Sequence, residues 1–283
     1  MNLYDPTLAE LLNWYKDAGV SAPMTDGPID QFELSKAKSP APAQKSVITE
    51  LPKDAQHKVS KPISAPSVAA PLVANAPTVP DESVIQTAKD LAGSANTLEE
   101  LRQVLNDFDG CNLKPAARNT VFSDGAAGSP LMVIGDAPDI DEDKQGVPFA
   151  GKSGQLFNKM MEAIGLDRNT IYLTTIIPWR PPGNRAPSPQ ETEICRPFIE
   201  RHIELAKPEI LMVMGGLSAK ILLSTAKGIL SLRGRWTDIS IGGQTYPVLP
   251  TLHPSYLLRQ AEQKRMSWQD LLMVKKKLDD ESK

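Results

Sequence analysis

A cluster of carboxylates directly follows a short apolar run and forms the first candidate site in this sequence. Leu131 to Ile134 are continuously apolar, as expected for a buried strand, and Gly135 ends the run. Open α/β sheets build sites where a strand ends in a polar loop and the chain re-enters a helix. A surface loop with merely solvated acids explains this loop equally well when it is taken alone. The acidic residues of the loop are Asp136, Asp139, Asp141, Glu142 and Asp143.

Three further segments place guanidinium, amide, hydroxyl and imidazole groups in loops. Arginines in loops that follow strands favour contacts with phosphate groups, although scattered surface charge is the alternative. His253 precedes a proline at a strand-to-loop step, and by itself it is better explained as a buried core imidazole. The residues concerned are Arg180, Asn184, Arg185, Arg233, Arg235, His253, Ser255 and Arg259.

The elements that must position these residues alternate between strands and helices. Strands are predicted at 120–122, 131–134, 171–177 and 210–214, with a hairpin over 239–249. Helices are predicted at 83–91, 98–108, 155–164 with Ser153 as its cap, 189–206, 218–223 and 267–278. Strands separated by helices favour parallel crossovers, and hence a three-layer α/β/α sandwich with a mostly parallel central sheet. The polar loops follow the strands and should converge at one edge of that sheet.

The chain divides into three parts by composition. Residues 1–20 predict an amphipathic helix, because Leu8, Leu11, Leu12 and Tyr15 recur at helical spacing. Residues 21–82 are rich in proline and alanine without any period, which predicts a disordered linker. The folded domain is expected over 83–283. A short isolated helix is marginal in water, so the N-terminal helix should dock on the folded domain or on a protein partner.

Composition also limits the compartment and the partners. Residues 84–283 carry 24 basic and 24 acidic side chains, so any binding of a polyanion must come from a local patch. No apolar run approaches the ~20 residues of a membrane span, and the acidic N-terminus does not resemble a secretory signal. The chain has two cysteines, too few for a disulfide framework. We therefore expect a cytoplasmic monomer without membrane association.

Four segments, in this order, together resemble the family-four branch of the uracil-DNA glycosylases. They read GDAPD…ED…GVPFAGKSGQLF, RPPGNRAPSP…C, LRGRW and HPSYLLR, and they cover about residues 108–278. Each motif alone is weak evidence, whereas four in order with plausible spacing are strong evidence. The resemblance implies an α/β/α fold, DNA containing uracil as the partner, and hydrolysis of the bond between uracil and deoxyribose. That reaction initiates base-excision repair.

The resemblance implies a chemical role for two acids and one histidine. Asp136 stands where the family carries its first-motif acid, and Glu142 matches a second acid; a solvated loop acid is the alternative for Glu142. A carboxylate near the sugar can orient water and stabilise a cation-like transition state. His253 matches a histidine that donates to the departing base and so stabilises its developing negative charge. This chemistry needs no metal.

The same resemblance implies a pocket for a base that has been taken out of the duplex. Phe149 matches an aromatic ring that stacks on the flipped uracil, although a core-filling ring is the alternative. Gly135, Ala137 and Thr175 belong to the same base-binding group. Ser255 to Arg259 resembles the segment that inserts into the duplex.

Two departures from the family bear on rate and selectivity. The first motif usually reads Gly-Glu-(Ala/Gly)-Pro-Gly, whereas this chain has Gly135-Asp136-Ala137-Pro138-Asp139. Aspartate is one methylene shorter than glutamate, so the water that it holds would shift. Thr175 stands where the family carries an asparagine that reads the uracil edge. A hydroxyl offers one donor where an amide offers two, which puts discrimination between uracil and cytosine in question.

A further departure concerns the iron–sulfur cluster that is usual in this family. The resemblance places four cysteine positions at Phe108, Cys111, Trp179 and Cys195, so only two thiols remain. A [4Fe–4S] cluster held by four cysteines does not form on two. We therefore expect no metal and no cofactor, with the two aromatic rings filling the space as core.

Two functions from different classes remain open at this point. One is an active glycosylase for uracil or a related deaminated base. The other is a DNA-binding protein on the same fold with weak or lost catalysis, whose N-terminal helix recruits a partner. An unrelated nucleotide-binding α/β hydrolase is much less consistent with the sequence, which lacks a phosphate-cradling glycine loop.

Overall fold

The computed structural model describes residues 82–281. The predicted N-terminal helix, 1–20, and the predicted linker, 21–82 apart from Glu82, lie outside the described residues. In chain order, the elements are α1 Glu82–Ser94, α2 Leu98–Asp107, β1 Asp124–Gly125, β2 Leu131–Gly135, α3 Ile140–Gln145, α4 Gly151–Glu162, β3 Tyr172–Thr175, α5 Pro189–Ala206, β4 Ile210–Met214, α6 Gly216–Leu222, α7 Ile229–Leu232, β5 Thr237–Ile241, β6 Gln244–Thr251, α8 Pro254–Arg259 and α9 Lys264–Glu281.

The six strands form one sheet in the order β1-β3-β2-β4-β6-β5. The four central strands are parallel, and the short outer strands β1 and β5 pair antiparallel to β3 and β6. All residues of β2, β3 and β4 are buried, as expected for parallel strands covered on both faces. The sheet is therefore mostly parallel, as predicted.

Alternate residues of each central strand enter two different cores. On one face, Met132 and Ile134 of β2 pack with residues of α1, α2 and α5. On the other face, Leu131 and Val133 pack with residues of α4, α8 and α9. Because side chains alternate along a strand, one sheet separates two helical layers, and the predicted three-layer α/β/α sandwich is confirmed.

The topology creates a crevice beside β2. After β2 the chain passes to β3 on one side, and it then crosses to β4 on the other side of β2. In open α/β sheets, ligands bind outside the carboxyl ends of strands at such a switch point. The polar segments that follow β2, β4 and β6 begin at Asp136, Gly215 and Leu252, and all three lie at this edge.

Two local predictions are wrong. Residues 120–122 are not a strand; the short edge strand is β1, Asp124–Gly125. Helix α4 begins at Gly151, so Ser153 lies inside it, and the Ser153 hydroxyl donates to the Ala150 carbonyl at 3.1 Å instead of capping the helix. Within residues 82–281, no helix combines the length and the apolarity needed to cross a bilayer.

Candidate active site

A polar cavity of about 490 Å³ opens at the carboxyl ends of β2 and β6. Its walls come from the loop after β2, the proline-rich segment after Pro178, the start of α6 and the start of α8. The sequence-predicted residues that line it are Asp136, Ala137, Glu142, Asn184, Arg185, His253, Ser255 and Arg259. The structure thus brings together two acids, one imidazole and two arginines that are separated by up to 123 positions in the chain.

Asp136 is held at the start of α6. Its Oδ1 atom accepts hydrogen bonds from the Ser218 backbone N–H and from the Ser218 hydroxyl, each at 2.8 Å. Gly215 has φ +128°, and a Cβ at that position would overlap the Asp136 carboxylate. Oδ2 accepts no hydrogen bond from any residue between 82 and 281, and this oxygen remains available for a water molecule. The carboxylate is therefore oriented through one oxygen.

His253 has a defined tautomer. The Ser255 backbone N–H donates to His253 Nδ1 at 3.2 Å, and the Ser255 hydroxyl lies 2.8 Å from the same nitrogen. Because Nδ1 accepts, the ring proton of the neutral imidazole lies on Nε2. Burial lowers the pKa of His253, and the carboxylates of Asp136 and Asp139 oppose that shift only in part. The imidazole is therefore neutral at neutral pH and carries one N–H donor.

Phe149 lies behind His253 and is almost completely buried, with 1% of its surface exposed. Its ring stacks on Phe157 with centroids 4.3 Å apart and on His253 with centroids 5.7 Å apart. A base needs about 3.5 Å of separation from the ring on each of its own faces, so it does not fit between Phe149 and His253 as they stand. Phe149 also does not line the cavity.

Glu142 uses both carboxylate oxygens on backbone groups. Oε1 accepts from Phe149 N–H at 2.5 Å, and Oε2 accepts from Asp139 N–H at 2.8 Å in the capping box of α3. Burial raises the pKa of Glu142 to about 7, and the nearby Asp139 carboxylate adds to this rise. The side chain is 3% exposed, so it is not the solvated loop acid of the alternative interpretation.

The other predicted base-binding residues lie at different distances from the cavity. Ala137 lines it, whereas Gly135 lies under the ring of Phe149. Thr175 pairs with Gly135 across the sheet and is buried. Its hydroxyl donates to the Ile177 carbonyl at 2.9 Å, and Thr175 does not line the cavity. The single donor of Thr175 is thus already used within the protein.

Two of the predicted DNA-contacting side chains are joined in the proline-rich wall. Asn184 has φ +55°, and its Oδ1 atom accepts from Arg180 Nε at 2.7 Å. Arg185 forms two parallel hydrogen bonds to Glu191, at 2.8 and 2.6 Å, which attach this wall to α5. Arg259 is exposed at the opposite wall. A cationic rim therefore surrounds the acid and the imidazole.

Arg233 does not belong to this rim, contrary to the sequence prediction. Its guanidinium donates to both oxygens of Asp270 and to the Met266 carbonyl. Asp270 is fully buried and also accepts from the Thr251 hydroxyl at 2.6 Å. A buried carboxylate requires such partners, so Arg233 joins the LRGRW segment to α9. Arg235 is exposed but does not line the cavity.

The four positions of the family's cluster lie together in one hydrophobic core. The rings of Phe108 and Trp179 stack with centroids 6.4 Å apart, and both are buried. Cys111 and Cys195 are buried free thiols. The hydrogen bond with Cys111 and burial raise the pKa of Cys195, which keeps that thiol protonated.

These residues do not fit a four-thiolate cluster. A [4Fe–4S] centre needs four thiolate ligands, and two of the four positions carry aromatic rings that cannot ligate iron. Among the described residues, no three histidine, cysteine or acidic side chains are grouped so that they could hold a metal ion. The donor set therefore disagrees with the cofactor that the family implies.

Three residues of the site were missed by sequence reasoning. Ser218 and Gly215 hold Asp136, and Arg168 contacts the Phe149 backbone. The glycine pair after β4 was a visible signal for a tight turn. Nothing in residue type or spacing singles out Ser218 or Arg168, because their partners lie 82 and 19 positions away.

The fold and the cavity define a three-layer α/β/α protein with a carboxylate and an imidazole at one polar site. A family model of the uracil DNA glycosylase superfamily matches residues 122–272. The type-4 uracil-DNA glycosylase of Pyrobaculum aerophilum is 30% identical over 180 residues, which are 62% of this chain and 92% of that protein. The type-4 uracil-DNA glycosylases of Thermotoga maritima and Saccharolobus solfataricus are 31% and 32% identical; the matches cover 63% and 59% of this chain, and 95% and 80% of those proteins.

This chain belongs to the uracil DNA glycosylase superfamily, in its type-4 branch. The resemblance of the four motifs is thereby confirmed.

Proposed function

We propose that this chain hydrolyses the N-glycosidic bond of uracil in DNA and so initiates base-excision repair. The observation that carries the proposal is the placement of Asp136 and His253 in one cavity of about 490 Å³. The names of the relatives, type-4 uracil-DNA glycosylases, support the same reaction. The alternative of a DNA-binding protein without catalysis is not favoured, since the chain retains both a carboxylate and a neutral imidazole at the site.

Asp136 has the role of holding the attacking water and stabilising the cationic sugar. Ser218 occupies Oδ1 and leaves Oδ2 free, so the carboxylate keeps one orientation while it accepts a hydrogen bond from water. In the reaction, water adds to the anomeric carbon as the bond to the base nitrogen breaks. A carboxylate beside the sugar lowers the energy of that charge separation.

His253 has the role of an electrophilic donor to the base. Its neutral ring carries the proton on Nε2, and a uracil oxygen that becomes negative as the bond breaks can accept from it. Donors that are fixed in place before the reaction contribute typically about 10²–10³-fold to the rate. Because burial lowers the pKa of His253, the neutral donor persists below the usual pKa of histidine.

The base is proposed to enter the cavity beside His253, against Ala137. Stacking on Phe149, which the resemblance implies, requires the start of α8 to move away from the Phe149 ring. The Thr175 hydroxyl donates to the Ile177 carbonyl, so selection of uracil over cytosine lacks the base-reading amide that the family resemblance implies at this position. We expect Thr175→Asn to increase that preference in a competition between the two bases.

The cationic rim is proposed to bind the DNA backbone. Asn184, Arg185 and Arg259 line the cavity, and Arg180 donates to Asn184. Residues 255–259 follow the histidine in the position of a segment that enters the duplex. Arg235 is exposed and remains a proposed phosphate contact, whereas Arg233 is engaged by Asp270. Phosphate contacts make binding weaken with salt, so each rim arginine replaced by alanine should reduce the salt dependence.

We further propose that the protein works without a [4Fe–4S] cluster and as a cytoplasmic monomer. The support for the first inference is the donor set, two thiols and two aromatic rings. Purified protein should be colourless, with no charge-transfer absorption in the visible range; a brown sample containing iron and sulfide would refute this. We also propose, from the sequence alone, a protein partner for the N-terminal residues.

A gel assay tests the proposed activity. The protein is incubated with a single-stranded oligonucleotide containing one uracil, and alkali then cleaves the strand at any abasic site. We expect scission at the uracil, none in the matched thymine oligonucleotide, and a rate below that of type-4 relatives. Absence of scission at stoichiometric protein, with DNA binding retained, would instead support the binding-protein alternative.

A further inference from the structure

We propose that Arg168, together with Glu142, is a positioning residue that holds the Phe149 backbone and, through the Phe149 ring, the His253 imidazole. This inference rests on the proposed function, because its main readout is cleavage of uracil from DNA. It assigns a role to Arg168, a residue outside all four motifs and outside the lining of the cavity.

The backbone of Phe149 adopts a conformation that its residue type disfavours. Its φ is +53°, in the left-handed region that bulky side chains rarely enter. Such a residue persists only where the surroundings hold it. Here both polar backbone atoms are held by side chains: the N–H donates to Glu142 Oε1 at 2.5 Å, and the carbonyl accepts from Arg168 Nη2.

Each of the three guanidinium nitrogens of Arg168 donates a hydrogen bond within the protein. Nε donates to Asn158 Oδ1 at 2.9 Å, and Nη1 donates to Asp124 and to the Pro148 carbonyl, the latter at 3.3 Å. Its guanidinium also lies over the Phe157 ring, 5.9 Å from the centroid. A planar guanidinium bound on three sides has one geometry, so it can hold a carbonyl in one place.

The Phe149 ring transmits this arrangement to the site. It packs between Phe157 and His253, and its edge meets Gly135 directly before Asp136. If the carbonyl is released, the backbone can return to negative φ, and the imidazole then loses the ring that stacks on it. A displacement of ~1 Å at the donor can cost about a hundredfold in rate.

Arg201 offers a matched control. Like Arg168, it donates to a backbone carbonyl, that of Ala95, at 2.9 and 2.7 Å, and to a carboxylate, that of Glu204, at 2.6 Å. The side chains of Arg201 and Arg168 are similarly exposed, 25% and 28%. Arg201 lies on α5, however, and contacts neither the cavity nor Phe149.

The experiment compares Arg168→Ala, Arg168→Lys and Arg201→Ala in full-length protein, with thermal unfolding and steady-state cleavage of the uracil oligonucleotide. We expect the two alanine variants to lose similar thermal stability. Arg168→Ala should lower kcat by about ten- to a hundredfold with KM for DNA nearly unchanged, and Arg168→Lys should recover part of that loss. Arg201→Ala should keep kcat within about twofold of the wild type.

A double variant separates positioning from general stability. If Arg168 acts through Phe149, the variant Phe149→Ala/Arg168→Ala should have the same kcat as Phe149→Ala alone. If the fold-losses of kcat in the two single variants multiply in the double variant, the inference is overturned. Equal kcat in Arg168→Ala and Arg201→Ala would also overturn it.

Hydrogen exchange gives a readout that does not depend on activity. A wild type without cleavage would reject the proposed function, and the inference is then decided by exchange of the Phe149 amide. Faster exchange in Arg168→Ala than in Arg201→Ala would support the clamp. Equal exchange in the two variants would reject it.

Discussion

The family resemblance implies a catalytic pocket in one region of this protein and an iron–sulfur cluster in another, and different side chains occupy the two regions. The region after β2 and β6 is an open polar cavity of about 490 Å³, with Asp136 and His253 in its walls. The region of Phe108, Cys111, Trp179 and Cys195 is closed, and the small cavity beside Cys195 has a volume of about 10 Å³. One region keeps groups that can react, whereas the other has become core.

Different kinds of interaction hold the two regions together. In the polar cavity the carboxylate and the imidazole each have a specific hydrogen-bond partner, Ser218 for Asp136 and Ser255 for His253. In the closed region, stacked rings and buried thiols contribute apolar contact instead. The carboxylate of Asp136 and the imidazole of His253 therefore do not depend on thiolate–metal bonds for their placement, and changes in the two regions should have separable effects.

The largest expected effect is on the rate and comes from Asp136→Asn. The amide oxygen can still accept from Ser218, so the side chain keeps its place while it loses its charge. We expect kcat on the uracil oligonucleotide to fall by about a thousandfold, in the usual range for a group that acts on the attacking water. Asp238→Asn, an equal charge change on exposed β5, should leave kcat unchanged. Retention of more than a tenth of the rate would contradict the role of Asp136.

The next largest expected effect is a loss of stability, and it comes from a substitution in the closed region. Trp179→Ala removes a ring that stacks on Phe108 and donates to Thr120 at 3.1 Å. We expect the free energy of unfolding to fall by about 3 kcal/mol in urea titrations, while kcat of the folded protein stays within about twofold. Trp268→Ala, at a ring that is 40% exposed, should cost less than about 1 kcal/mol. A large loss of kcat in Trp179→Ala would show that the regions are coupled.

A third prediction uses the raised pKa of Glu142, about 7 against 4.5 for the unfolded chain. Because the folded state binds this proton more tightly, the stabilising contribution is fully present below pH 4.5. It declines as the pH rises and is lost above pH 7. Relative to the wild type, Glu142→Gln should therefore gain about 3 kcal/mol in the free energy of unfolding between these pH values. Urea titrations at several pH values measure the difference in unfolding free energy between Glu142→Gln and the wild type. If that difference does not depend on pH, the pKa of Glu142 is not raised.

The smallest effect concerns the length of the catalytic acid. Sequence comparison alone suggests that Asp136→Glu would raise the rate by restoring the usual residue. The structure predicts a fall of about tenfold, because the added methylene meets Gly215 and Ser218. Adding Ser218→Ala to Asp136→Glu should return part of the rate by making room. A faster single variant would show that the short acid is a defect.

The longer helices and the buried strands followed from local pattern, whereas the short helices α3, α7 and α8 were not predicted, and α3 lies in the segment expected to be a polar loop. The apolar run at 210–214 and the helix from Pro189 to Ala206 have the predicted bounds, because periodicity and capping residues are local signals. Ser153 has the composition of a cap, yet α4 starts two residues earlier, where Gly151 adopts φ +63° beside Asp141. The edge strand β1 begins four residues later than predicted, where Asp124 meets Arg168.

The sequence by itself determined the fold class and the family, and it predicted an acid and a histidine for the site, since these inferences depend on residue types in short segments. Only the tertiary structure decided what each side chain does with its polar atoms. Arg233 donates to Asp270, and the Thr175 hydroxyl donates to the Ile177 carbonyl. Glu142 accepts from the backbone N–H of Phe149. The physical reason is that a buried donor or acceptor takes whichever partner the packing brings near, and that partner can lie anywhere in the chain.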